Sequence, residues 1–158
     1  MPTVVQKKGD CSLIDTVMLD ASAVGVACHP RPSKDYLNWC RQLAAANIKV
    51  IIPEIADFEV RRELIRIKRT NSLFRLNRLK ETLVFAALNS QIMLRAAELW
   101  ADARNRGRPT AGPERLDCDV ILAAQALERG ATIVTENISH LAQFTSVVRW
   151  QEMTFPTV

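Results

Sequence analysis

Only two histidines and four cysteines occur in this 158-residue chain, and Cys11, Cys28, Cys40 and Cys118 never form a CxxC pair. Zinc sites of the finger or ribbon kind are therefore not supported, and scattered thiols fit a reducing compartment. Seven prolines and five glycines are too few for a fibrous or low-complexity chain. No apolar run approaches the roughly 20 residues that cross a bilayer, and the opening MPTVVQKKGDCS lacks an apolar core of the secretory type. The expectation is a cytoplasmic protein with no membrane span. GxGxxG and GxxxxGK[ST] are both missing, which leaves dinucleotide and P-loop nucleotide binding without a motif. No GxSxG accompanies His29 or His140, so a serine-hydrolase triad has no scaffold.

What is present is an ordinary globular composition, 48% apolar and 24% charged, at a length that buries a core in one domain. Residues 1–14 read as an extension and 15–155 as the domain. Charge is distributed unevenly. Residues 61–80, RRELIRIKRTNSLFRLNRLK, carry eight basic side chains against Glu63 alone, a local charge of +7 where the whole chain has +4, so the remainder is −3. Such a concentration suits a polyanion partner, and equally a solvated helix face.

Short aliphatic runs alternate with longer helical ones. Strands are expected at 16–20, 48–53, 82–88, 131–135 and 146–150. Helices are expected at 33–47 (capped by Ser33), 54–69, 73–81, 91–106 (capped by Asn89 or Ser90) and 117–129, with a loop over 107–116 and a short helical piece within 136–144. This alternation predicts an α/β fold: a single domain with a mainly parallel five-stranded sheet sandwiched by helices.

Ligands of such sheets bind outside the carboxyl ends of the strands. There the sequence places Asp20 after the first strand, Glu54, Asp57 and Glu59 after the second, Asp117 and Asp119 at the start of the helix before the fourth, and Thr135, Glu136 and Asn137 after the fourth. No basic residue joins them at those strand ends. Carboxylates gathered from separate elements repel, and a divalent cation would relieve the repulsion. Each also has a plainer role. Asp20, Asp117 and Asp119 suit helix caps, and Asp57 can pair with Arg61 four residues on. Glu59 is harder to place that way, because it lies with Glu63 along the edge of an apolar stripe (Ala56, Val60, Leu64, Ile67), although Arg62 or Arg66 can offset the charge. Asp119 heads VILAAQAL, which is apolar around nearly its whole circumference, so its carboxylate must face a cap, a partner or a cleft.

With those residues in place, the chain resembles the PIN-domain ribonucleases, in particular VapC-like toxins of bacterial type II toxin–antitoxin pairs, over about residues 15–150. The likeness is carried by Asp20 in VMLDASAV, Glu59 in IPEIADFEV, Asp119 in DCDVILAAQAL, and Thr135 and Asn137 in IVTEN. The family's second acid falls on Glu59 rather than Glu54. Its third falls on Asp119, with Asp117 in a supporting role. Its fourth, often an aspartate, is Asn137 here.

The resemblance implies a metal-dependent endoribonuclease in which Asp20, Glu59 and Asp119 hold Mg²⁺ or Mn²⁺. Asn137 would complete the catalytic set and Thr135 would orient it. Products would carry a 5′-phosphate and a 3′-hydroxyl. RNA is the implied substrate, with Arg61, Arg62, Arg66 and Arg69 as backbone contacts, and a cognate antitoxin and a homodimer are the implied partners. The competing expectation, favoured by Asn137, is a non-catalytic PIN-like module that binds RNA or protein.

Overall fold

From Thr16 onward strands and helices are interleaved in the computed structural model, which describes residues 6–7, 10–107 and 113–155. In chain order the elements are β1 (Gln6–Lys7), β2 (Asp10–Leu13), β3 (Thr16–Leu19), α1 (Ala21–Ala27), α2 (Lys34–Ala45), β4 (Lys49–Pro53), α3 (Glu54–Arg66), α4 (Thr70–Thr82), β5 (Val84–Ala86), α5 (Ser90–Asn105), α6 (Pro113–Arg129), β6 (Thr132–Val134), α7 (Ile138–Leu141), β7 (Val147–Val148) and β8 (Met153–Thr154), with a 3-10 turn at Trp150–Glu152.

Five strands form one sheet in the order β5-β4-β3-β6-β7, and every pairing in it is parallel. Parallel strands are covered on both faces, so each reads as an unbroken aliphatic run. On one face Val17, Leu19, Ile52 and Val134 meet Val24, Trp39, Leu43, Ala56 and Leu76. On the other, Met18, Ile51 and Ile133 meet Ile55, Leu122 and Ala126. A third cluster joins Ile92, Ala96 and Leu99 of α5 to Val120, Ala123 and Ala124 of α6. The chain leaves β3 toward β4 on one side, and later returns to place β6 on the other. The carboxyl ends of β3 and β6 therefore flank the point where strand order reverses, which is where open α/β sheets form their crevice.

Several boundaries differ from the sequence expectation. The helix expected from 117 begins at Pro113, a residue suited to a first helical turn; Asp117 and Asp119 thus lie inside the helix rather than at its start. Residues 108–112 of the expected loop lie outside the described residues. TNS at 70–72 is the first turn of α4 rather than a gap, because α3 stops at Arg66 and Lys68 takes a left-handed φ of 55°. The expected strand over 82–88 contracts to three residues, since Thr82 ends α4. The small-residue run after Asp20 is a helix, α1, which the sequence reading did not assign.

A second, three-stranded sheet was also not foreseen. Its order is β2-β1-β8, antiparallel throughout, with Gln6 opposite Thr154 and Lys7 opposite Met153. Beside it Tyr36, Trp39 and Trp150 cluster in tilted and edge-to-face contacts with ring centroids 5.6 to 6.0 Å apart, and Trp39 Nε1 donates to Met153 Sδ at 3.3 Å. Burial holds the Tyr36 phenol far above its ordinary pKa.

Candidate active-site cleft

Asp20 follows the last residue of β3, where its N–H still donates to Val134 O at 3.1 Å. Its Oδ1 accepts the Ala23 N–H at 2.8 Å and the Ser22 hydroxyl at 2.6 Å, so it caps α1 while remaining at the strand mouth. The cap reading of this residue therefore holds, and the cap leaves the carboxylate on the cleft wall. The cap holds the carboxylate in one orientation, and burial to 8% exposure keeps it there.

Glu59 reaches the same place from α3 and Asp119 from α6. All three carboxylates line one cleft of about 650 Å³, which Thr135 and Asn137 close from the end of β6. Glu59 reports their proximity. Burial raises its carboxyl pKa, the Arg62 charge opposes that rise, and the negative charges of Asp119 and Asp20 add to it. Thr135, 1% exposed, accepts the Asn137 N–H on its Oγ1 at 2.9 Å, which fixes the turn that presents Asn137 to the cleft.

The remaining predicted residues divide. Arg62 lines the cleft, so a basic residue does join the acids, arriving from one helical turn beyond Glu59 rather than from a strand end. Arg61 is taken by Asp57, at 2.9 and 3.0 Å, and by Asn77 at 2.9 Å. Arg66 is bound to Glu63. Arg69 stands exposed at the start of α4, away from the cleft-lining set. Asp117 faces a separate apolar groove with Met93, Trp100 and Val120. Glu54 accepts the Leu88 N–H at 2.6 Å, as a structural residue would.

Three polar cleft residues were missed in the sequence, Ser22, Cys118 and His140, while Glu136 was among the acids expected after the fourth strand. Ser22 grips Asp20, and Glu136 lies beside it with its N–H 3.5 Å from Ser22 Oγ. Cys118 hydrogen bonds to Glu59, and burial pushes its thiol pKa up. His140 Nδ1 lies 3.4 Å from Asn137 Nδ2 and 3.9 Å from Asp119 Oδ2. The spacing of Asn137 and His140, one turn apart on α7, was the one available signal for the histidine.

The donor chemistry suits a hard divalent cation, since three carboxylates and an amide oxygen share one cleft. Among the described residues, no three acidic, histidine or cysteine side chains converge tightly enough to ligate one ion directly.

The sequence profile of the PIN domain matches residues 17–143, and the chain belongs to the PIN domain family. No curated protein matches it. Its fold is similar to that of VapBC2 from Rickettsia felis bound to a DNA fragment from their promoter (TM-score 0.69, 21% identity, covering 85% of this chain and 96% of the matched one). It is also similar to DNA-bound VapBC from Salmonella typhimurium (TM-score 0.68, 17% identity, 85% and 98% covered) and to FitAcB from Neisseria gonorrhoeae (TM-score 0.66, 16% identity, 85% and 98% covered).

Proposed function

We propose that this PIN domain is a divalent-metal-dependent endoribonuclease and the toxin of a toxin–antitoxin pair. The observation that carries the reading is the meeting of Asp20, Glu59 and Asp119, from three separate elements, in one cleft at the reversal point of the sheet. The VapC-like resemblance and the fold likeness to chains of VapBC complexes support the toxin assignment and, with it, a cognate antitoxin and a homodimer.

Asp20, Glu59 and Asp119 would hold Mg²⁺ or Mn²⁺, with Asn137 as a neutral fourth group. When bound, the cation supplies Lewis-acid polarisation of the phosphodiester and activates water for in-line attack. The protein's own part is orientation. Ser22 and the Ala23 N–H fix Asp20, Thr135 fixes the backbone of Asn137, and Arg62 offers a guanidinium to the phosphate from the cleft wall.

The test is cleavage of an RNA panel with and without divalent cations, in the wild type and in Asp20→Asn. Asparagine caps a helix as well as aspartate does, so circular dichroism should be unchanged while cleavage disappears. RNA binding that persists in EDTA, with no cleavage by the wild type in Mg²⁺ or Mn²⁺, would establish the non-catalytic module instead.

A further inference from the structure

Phe58 lies on α3 immediately before Glu59 and is 52% exposed. One turn on, Arg62 places its guanidinium 5.0 Å from the Phe58 ring centroid, and the same Arg62 lines the carboxylate cleft. The pair sets an aromatic ring and a cation side by side, and Arg62 connects it to the cleft wall. Other aromatics among the described residues do not combine these features. Phe74 is 66% exposed and carries no stacked cation, the Lys80–Phe85 pair is remote from the cleft lining, and the Arg104–Trp100 pair borders the apolar groove of Asp117.

A half-exposed aromatic ring beside an arginine that lines an acidic cleft has a natural complement in a nucleobase. Bases stack on aromatic rings and on guanidinium planes, and only an unpaired base has a free face to offer. A duplex keeps both faces of each base covered by its neighbours. An i,i+4 pair of this kind also steadies its own helix, but that role is indifferent to RNA.

We infer that the Phe58–Arg62 pair is a base-stacking platform, holding one unpaired base of single-stranded RNA beside the phosphodiester in the carboxylate cleft. The inference rests on the nuclease reading of that cleft and adds to it the form of the substrate and a residue that selects it.

The test is a titration in EDTA of a short oligoadenylate RNA containing one 2-aminopurine, free or annealed to oligouridylate. The proteins are wild type, Phe58→Ala and Phe58→Trp. Stacking predicts fluorescence quenching with the single strand and not the duplex. Phe58→Ala should lose the quench and bind the single strand about tenfold more weakly, and Phe58→Trp should retain both. Absence of a quench with the wild type overturns the inference, as does a Phe58→Ala protein with unchanged quench and affinity, or one weakened equally toward duplex. Unchanged RNA binding together with altered size-exclusion elution of Phe58→Ala would mark Phe58 as a protein contact and likewise overturn it. Because no divalent cation is present, stacking is read apart from cleavage. A quench in a wild type that cleaves nothing in Mg²⁺ defeats the nuclease reading alone. Cleavage by the wild type with no quench defeats the platform alone.

Discussion

Ser22 donates its hydroxyl to Asp20 Oδ1 at 2.6 Å, on the same oxygen that accepts the Ala23 N–H. Ser22 Oγ also lies 3.5 Å from the Glu136 N–H beyond β6. One small side chain therefore steadies the carboxylate and ties together the two strand ends that flank the cleft. Ser22→Ala should lower RNA cleavage about tenfold, in the range found for groups that orient metal-binding side chains. The fold should lose less than about 1 kcal/mol, because Ala23 still caps onto Asp20. Single-turnover cleavage and urea unfolding check the two halves separately.

Arg61 and Arg62 are adjacent in sequence and opposite in consequence. Arg61 serves the buried carboxylate of Asp57, with Lys80 as a second partner at 3.9 Å. Removing it should destabilise the protein by roughly 1–3 kcal/mol, below the cost of stranding a fully buried charge because Lys80 remains. Arg62→Ala should instead leave the unfolding midpoint nearly unchanged, weaken RNA binding, and reduce the slope of log affinity against log salt by about 1. Anisotropy titrations across a salt series, run beside urea melts, separate the two arginines.

Glu59 gives a pH signature with a defined sign. Burial is the main cause of its raised pKa, so between the ordinary carboxylate range and the raised value the folded protein keeps a proton that the unfolded chain releases. Stability should accordingly be highest at low pH with respect to this group, and fall as pH climbs through that window. Glu59→Gln removes the penalty. It should melt higher than wild type at neutral pH, lose that advantage in acid below the ordinary carboxylate range, and fail to cleave RNA. Thermal melts across pH decide it; a Glu59→Gln advantage that persists in acid would contradict the assignment.

Gln125 is fully buried in α6, where its Nε2 donates to Ala86 O at 2.8 Å and its Oε1 accepts the Ile55 N–H at 3.4 Å. It joins the end of β5 to the first turn of α3, beneath the helix that carries Glu59. Gln125→Met keeps the volume but strands both backbone groups, at a cost of about 2–3 kcal/mol in urea unfolding.

The parallel five-stranded sheet was legible because its strands advertise themselves by being apolar on both faces, and the three acids stood out beside apolar runs, Asp20 and Glu59 after a strand and Asp119 ahead of VILAAQAL; the strand order itself was not read. What could not be read has physical causes. Two-residue strands such as β1 and β8 have no periodicity to detect, and their pairing joins residues at opposite ends of the chain. The α6 boundary was hidden because PERL follows glycine and proline, which signal a loop by composition even where proline starts a helix. Within the basic window the Asp57–Arg61 pairing was legible from its i,i+4 spacing, but that Arg66 is taken by Glu63 while Arg62 lines the cleft was not. Sequence shows charge but not which charges already have partners.

The pairing of β1 with β8 sets Gln6 directly across from Thr154. Gln6 and Thr154, near the two ends of the described residues, are therefore neighbours in space, as circular permutation asks of the segments it joins. A short bridge between them, with a new opening at the exposed turn around Asn47, would give a rearranged gene whose product retains the five-strand order and the carboxylate cleft.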